Sequence, residues 1–125
     1  MSIKIPDNYQ TVMPYLILKD ANRFIEFTEN VFGARLTMKA MNDDNTIMHA
    51  ELMIGEVTIM FADANTVFQP QTSGLFVYVE KADNSFQKAI EAGASVVTEL
   101  SDLPYGRSGG VKDPCGNTWW ITSMI

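Results

Sequence analysis

The sequence predicts an α+β fold built from two copies of one module, a strand followed by a helix and three more strands. Asp20 lies thirteen residues before Gly33, and Glu80 lies thirteen residues before Gly93. Each interval has apolar residues at helical spacing and follows an apolar extended run. The offset of about sixty residues continues into the strand-like segments after each helix. We expect two repeats in a single domain, at about 9–63 and 74–125, whose curved sheets surround a central cavity.

The first module begins with a predicted strand at residues 11–18, placed at a sheet edge or a seam because Pro14 cannot donate a ladder hydrogen bond. Asp20 is the predicted N-cap of a helix that ends at Gly33, which suits a left-handed position. Three further strands are predicted after it: 34–41 and 46–54, joined by a polar turn, and 57–62.

The second module follows a polar loop at residues 63–73. A strand at 75–79 precedes a helix that ends at Gly93. The remaining expectations are a strand at 95–100, a glycine-bearing loop at 101–110, a short strand at 111–113, a type I turn at 113–116 and a last strand at 117–123.

Bulk composition excludes several classes of protein. The chain has 125 residues and a formal net charge of -6, so it lacks the basic face that nucleic-acid binding requires. No apolar run approaches the length of a membrane span. The N-terminus does not resemble a secretory signal, and the single cysteine cannot form an internal disulfide. We therefore expect a cytoplasmic protein with no nucleic-acid or membrane partner. Its acidity is compatible with a cationic ligand and equally serves solubility.

Four stretches carry a resemblance to a known family. They are 9–21, the segment from Ile25 to Ala34, Met48–Gly55 and Tyr105–Trp120. With these residues the chain resembles the vicinal oxygen chelate superfamily, which contains glyoxalase, extradiol dioxygenases and bleomycin-resistance proteins, and most of all its PhnB-like branch. The resemblance implies a homodimer whose curved sheets enclose a cavity.

The same resemblance bears on a metal centre. Metal-dependent members hold a divalent ion with four side chains, one from the first and one from the fourth strand of each module. Those places fall on Met13, Ile59, Gly74 and Trp120. None of the four is a nitrogen or oxygen ligand, so we predict that the metal centre is absent and that no cofactor is bound.

Strand alternation predicts which side chains line the central cavity, which we call the cup. If Met13 and Trp120 face the cavity, other side chains of the same parity face it too. The predicted ligand-binding lining consists of Met13, Tyr15, Ile59, Phe61, Phe76, Tyr78 and Trp120. Such an aromatic surface suits a flat organic ligand, and stacking can hold a cation by about 0.5 to 2 kcal/mol. The alternative is that these rings fill the core.

His49 and Glu51 are the one polar pair in an apolar strand, and alternation places both on the cup face. They are candidates for proton transfer. The alternatives are a hydrogen-bonded structural pair, a dimer contact or a binding role.

Arg107 lies in the predicted glycine-flanked loop, which in the family tends to lie near the cavity mouth. A guanidinium there can clamp a carboxylate or phosphate. The alternative is a solvated or carboxylate-paired surface residue. Cys115 has no flanking base, and we expect a structural role for it.

Three functions remain open. The leading hypothesis is a metal-independent protein that binds a small organic molecule in an aromatic cup. The second is a lyase or isomerase that uses His49 and Glu51. The third is an interaction module whose cavity is filled by its own side chains.

Overall fold

The computed structural model describes residues 2–125 and contains two four-stranded sheets and two helices. The first module consists of β1 (Tyr15–Leu18), α1 (Ala21–Phe32), β2 (Arg35–Met41), β3 (Ile47–Ile54) and β4 (Val57–Asp63). The second consists of β5 (Gly74–Tyr78), α2 (Ala82–Glu91), β6 (Ser95–Leu103), β7 (Gly106–Lys112) and β8 (Thr118–Ser123).

The two modules have the same topology. The strand orders are β1-β4-β3-β2 and β5-β8-β7-β6, and the first strand of each module pairs in parallel with the last. The predicted α+β fold with two strand-helix-three-strand modules is therefore confirmed. Pro14 precedes β1, which lies at a sheet edge as expected.

At the start of each helix, a backbone N–H donates a hydrogen bond to a side chain at the end of the last strand of the same module. The Ala21 backbone N–H donates to Asp63 Oδ1 at 2.7 Å, and the Ala82 N–H donates to Ser123 Oγ at 3.0 Å. The predicted N-cap position of Asp20 in α1 is confirmed, but its side chain does not make the capping bond. An acceptor from β4 supplies that bond instead and ties the helix to the sheet.

The prediction of a loop at residues 101–110 is also wrong. β6 extends to Leu103 and β7 begins at Gly106, so these residues form a tight hairpin. Its glycines resemble a loop in sequence, yet two of them make room for aromatic rings. A Cβ on Gly109 would lie 2.9 Å from the Phe86 ring, and one on Gly110 would lie 2.5 Å from the Trp120 ring.

One hydrophobic core joins the modules through the helix-facing sides of both sheets. Trp119 of β8 packs on α1, with ring centroids 4.6 Å from Phe32 and 6.3 Å from Phe24. Since each sheet turns one side to this shared core, its other side is directed away from it. We call the two sides that are directed away from the core, one on each sheet, the open faces. Each carries exposed apolar side chains, Tyr15 and Met38 on the first sheet and Phe76 and Tyr78 on the second.

Neither helix in residues 2–125 is long and apolar enough to cross a membrane.

Candidate functional site

A chain of hydrogen bonds runs across the open face of the first sheet. The Tyr15 hydroxyl lies 3.0 Å from His49 Nδ1, and His49 Nε2 lies 2.7 Å from Glu51 Oε2. The Tyr9 hydroxyl donates to both carboxylate oxygens of Glu51, at 2.6 and 2.8 Å. We call these four side chains the tyrosine–histidine–glutamate relay. The structure thus brings His49 and Glu51 together on one face, beside Tyr15.

The N-terminal segment covers part of this face. The Thr58 hydroxyl donates to the Asn8 carbonyl. The Gln10 side-chain amide bonds both the N–H and the carbonyl of Thr58, at 3.2 and 2.8 Å. Because β1 begins only after Pro14, the Gln10 amide satisfies backbone groups of β4 that have no strand partner there. This docking brings Tyr9 over Glu51, which is only 6% exposed.

The relay sets the charge state of Glu51. Burial alone would raise the pKa of this carboxyl, but the hydrogen bonds from Tyr9 and His49 outweigh it and lower that pKa below its ordinary value. The same contact with Glu51 raises the pKa of Tyr9. An ionised Glu51 only accepts hydrogen bonds, so Nε2 of His49 carries a proton. In the neutral imidazole Nδ1 is then an acceptor, and the Tyr15 hydroxyl donates to it.

Tyr15 also lines a cavity of about 550 Å³. The open face contributes Tyr15, Ile17 and Ala62, and the loop between the modules contributes Phe68 and Gln71. This loop is held to the edge of β1 by two backbone hydrogen bonds between Gln71 and Ile17. The volume is within the range of small-molecule sites.

The expectation that Ile59 and Phe61 face the cup is wrong. In the register of β4, Met60 pairs with Tyr15 and with Glu51, so Met60 shares their open face. Phe61 pairs with Leu16 and Ala50 on the other side, where its ring contacts Phe24 of α1 at 5.1 Å. Ile59 lies on that helix-facing side as well. The expectation started from the position that the family resemblance assigned to Ile59, and a shift of one residue inverts the facing of the whole strand.

The open face of the second sheet carries an exposed aromatic cluster. Phe76 lies 5.3 Å from Tyr78 and 6.1 Å from Tyr105, centroid to centroid. Trp120 pairs in register with Phe76 and lies over Gly110. Phe76 and Tyr78 are 51% and 61% exposed, a degree unusual for aromatic side chains with no partner. Phe76, Tyr78 and Trp120 thus share a face, but it is not the face that carries Tyr15 in the same chain.

The proposed clamp by Arg107 is contradicted by its surroundings. Arg107 lies in β7, not in a loop, and its guanidinium bonds Asp83 of α2 at 2.6 and 3.3 Å and Asp102 at 3.0 Å. These carboxylates raise its pKa further. It is a carboxylate-paired surface residue on the helix side of the sheet, which was the alternative.

The turn before β8 is built around Asp113. The Gly116 N–H donates to the Asp113 carbonyl at 3.0 Å, as a type I turn requires. The Asp113 carboxylate also accepts from the Trp119 indole at 2.8 Å. Burial raises the pKa of Cys115 to about 12, which suppresses the thiolate and agrees with a structural role.

A larger cavity of about 750 Å³ lies between the modules. Its lining includes Phe32 and Trp119 from the core side, and Ile59, Phe76 and Tyr78 from the predicted set. It contains no residue of the tyrosine–histidine–glutamate relay. We take the smaller cavity as the candidate site because its lining includes Tyr15, a member of the relay.

Comparison with known proteins identifies the family. The sequence model of the Glyoxalase/Bleomycin resistance protein/Dioxygenase superfamily matches residues 10–121. The chain belongs to this superfamily. A relative in Mycobacterium bovis, the uncharacterized protein Mb0911c, is 33% identical over 124 residues, which cover 90% of this chain and 82% of the relative.

Three solved structures share the fold of this chain. TioX from Micromonospora sp. ML1 has a TM-score of 0.71 and 27% identity, covering 93% of this chain and 97% of TioX. The PhnB protein from Bacillus cereus has a TM-score of 0.71 and 19% identity, covering 91% and 99%. TnmS3, an antibiotic binding protein from Streptomyces sp. CB03234, has a TM-score of 0.73 and 16% identity, covering 100% and 99%. The predicted resemblance to the superfamily and to PhnB-like proteins is confirmed.

The divalent metal of other superfamily members does not fit the residues at the corresponding positions. Met13, Gly74 and Trp120 offer no nitrogen or oxygen ligand on the open faces, and Ile59 is turned to the core. The neighbour of Ile59, Thr58, already donates its hydroxyl to Asn8. Among residues 2–125, no three His, Cys, Asp or Glu side chains cluster in a way that would hold a metal ion.

Two members of the site were missed in the sequence. Met60 was assigned to the wrong side of β4. Tyr9 lies outside every predicted element and reaches Glu51 across forty-two positions of sequence. The only sequence signal for Tyr9 is its place in the stretch 9–21, which carries part of the family resemblance.

Proposed function

We propose that this superfamily member is a metal-independent protein that binds a small organic molecule between its open faces. The observation that carries the proposal is the exposed cluster of Phe76, Tyr78, Tyr105 and Trp120 on one side of a sheet. Exposed aromatic faces of this kind mark binding surfaces. The antibiotic binding protein TnmS3 has the same fold, and the superfamily includes bleomycin-resistance proteins.

The binding site is completed by a second copy of the chain. The aromatic cluster and the relay lie on open faces directed away from the shared core, so one chain does not enclose a ligand between them. In a homodimer, the second-sheet face of one protomer covers the first-sheet face of its partner. This joins an aromatic wall with Phe76, Tyr78 and Trp120 to a wall with Met13, Tyr15 and Met60.

Ligand binding is tested with tryptophan fluorescence. Trp120 is on the open face while Trp119 is buried, so Trp120 reports on the site. We expect the planar cation 9-aminoacridine to quench Trp120 saturably, and naphthalene-2-sulfonate to bind more weakly because the chain is acidic. Phe76→Ala should weaken binding by about tenfold through loss of aromatic contact.

Trp120→Phe is the matched control, because it retains Trp119 and removes the reporter. If neither probe changes the fluorescence saturably, or if quenching persists unchanged in Trp120→Phe, the aromatic face is not the binding site. The absence of any binding by an intact dimer would favour the interaction module.

A second candidate function is an enzyme, and the tyrosine–histidine–glutamate relay favours it. A buried carboxylate that orients an imidazole is an arrangement suited to proton transfer. As a lyase or isomerase, the protein would use His49 as the base, and Glu51, which the sequence offered as the acid, would orient and stabilise the imidazole as a carboxylate. Loss of turnover with retained binding in His49→Ala would distinguish this from binding alone.

A further inference from the structure

The tyrosine–histidine–glutamate relay includes one side chain that lines a cavity. Tyr15 is 46% exposed and lines the 550 Å³ cavity, whereas Glu51, two hydrogen bonds away along the relay, is buried. The order from cavity to interior is therefore phenol, imidazole and carboxylate. His49 is 24% exposed in its side chain and lies between the two, with ring nitrogens 3.0 Å from Tyr15 and 2.7 Å from Glu51.

The direction of each hydrogen bond follows from the anchored carboxylate. Tyr9 and His49 both donate to Glu51, so the Nε2 proton of His49 is held in place, and in the neutral imidazole Nδ1 is left to accept. In that state Tyr15 gives its only proton to Nδ1. The Tyr15 oxygen then has lone pairs and no proton to offer, so toward a molecule in the cavity that Tyr15 lines it acts as an acceptor.

We propose that Tyr15 is the ligand-facing proton acceptor of the site, and that the cavity takes an organic molecule bearing an ionisable hydroxyl or a protonated amine beside an apolar body. The inference rests on the proposed function in placing the ligand on this face. Ile17, Ala62 and Phe68 supply apolar lining, and the negative charge of the chain favours the amine.

The proton transfer balances within the relay. The ligand O–H or N–H bond breaks and its proton forms a new bond to Tyr15 Oη. The original Tyr15 proton passes to His49 Nδ1, which makes an imidazolium. The neighbouring Glu51 carboxylate stabilises that positive charge, and the ligand is left one proton poorer. No oxidant, metal or second substrate is needed.

The proposal predicts that Tyr15 is the most reactive tyrosine toward tetranitromethane, which attacks the phenolate. The chain contains its own controls. Among the described residues, only Tyr9 and Tyr15 make hydroxyl hydrogen bonds, while Tyr78 and Tyr105 are more exposed than Tyr15. We expect nitration at Tyr15 to be about tenfold faster than at Tyr78 or Tyr105, since a positioned base assists loss of the proton. Tyr9, which donates to an anion, should be slowest. Peptide mass spectrometry of the full chain gives each rate. The same rates are measured in Phe76→Glu, which we expect to be a monomer, so that a partner protomer covers none of the three tyrosines Tyr15, Tyr78 and Tyr105.

Two variants test the role of the relay. His49→Gln keeps a hydrogen-bond acceptor but removes the base, and Glu51→Gln removes the anion behind the imidazole. In both, the Tyr15 rate should fall to that of Tyr78, while the Tyr78 and Tyr105 rates stay unchanged and report an intact fold. If Tyr15 reacts no faster than Tyr78 and Tyr105 in the otherwise unaltered relay, or if the Tyr15 rate in both variants equals the wild-type rate, the proposal is overturned.

This experiment uses no ligand, so its failure is separable from failure of the proposed function. Slow nitration of Tyr15 together with saturable quenching of Trp120 would leave the binding function standing without a proton acceptor. Fast nitration without quenching would support the acceptor and contradict the aromatic wall.

Discussion

At the scale of single residues, Glu51 links the acid stability of the protein to its site. Its pKa is lowered in the folded protein from an ordinary value of 4.5. A carboxyl whose pKa is lower in the folded protein than in the unfolded chain stabilises the folded state when it is ionised. This contribution is present above the unfolded pKa and is lost as the pH falls through the folded pKa.

In Glu51→Gln, the free energy of unfolding should therefore decrease less as the pH falls. We expect the free energy of unfolding of the wild-type protein to fall between about pH 5 and pH 3, and that of Glu51→Gln to fall less steeply. The variant should also be less stable near neutrality, because one amide oxygen replaces two acceptors for Tyr9 and His49. Urea denaturation across this range measures both effects.

The exposed Glu56→Gln is the matched control for that titration. Parallel curves for the wild type and Glu51→Gln would show that Tyr9 and His49 do not hold the ionised form of Glu51.

At the scale of elements, the two helices have equivalent anchors of unequal strength. The Asp63 carboxylate accepts from the Ala21 and Ile47 backbone N–H groups at 2.7 Å each, whereas Ser123 Oγ accepts one backbone N–H, that of Ala82. We expect Asp63→Ala to cost about 3 kcal/mol, because two backbone donors lose a charged partner. Ser123→Ala should cost about 1 kcal/mol, the usual effect of losing a cap. Chemical denaturation of the two variants gives both values.

The difference between the two variants isolates the hydrogen bond from the Ile47 N–H to Asp63. If Asp63→Ala and Ser123→Ala lower the free energy of unfolding equally, this bond contributes nothing beyond the helix cap.

At the scale of the whole molecule, the open faces predict self-association. Phe76→Glu places a charge at the centre of the aromatic cluster, and burying it against a second copy would be unfavourable. We expect the wild-type protein to sediment as a dimer and Phe76→Glu as a monomer in analytical ultracentrifugation. Both should unfold with the same cooperativity.

Val67→Glu is a suitable control, because Val67 is exposed in the loop between the modules. A wild-type protein that sediments as a monomer at all concentrations would contradict the shared site.

Local patterns in the sequence predicted most elements and the placement of His49 beside Glu51. The duplication, the edge position of the first strand and the turn at Asp113 all depend on spacing and side-chain chemistry within a few residues. The common face of His49 and Glu51 followed from alternation in a strand where polar residues mark one side.

The tertiary structure decided what local patterns left open. A shift of one residue inverts the facing of β4, so only its pairing with β1 and β3 turned Met60 outward and Phe61 inward. Arg107 bonds Asp83, which lies twenty-four positions away in the sequence, and Tyr9 bonds Glu51, which lies forty-two positions away. The sequence by itself determined the modules and their strands, because periodicity within a segment reflects its own geometry. Which faces are open, and what covers Glu51, depended on contacts between distant segments, which periodicity does not encode.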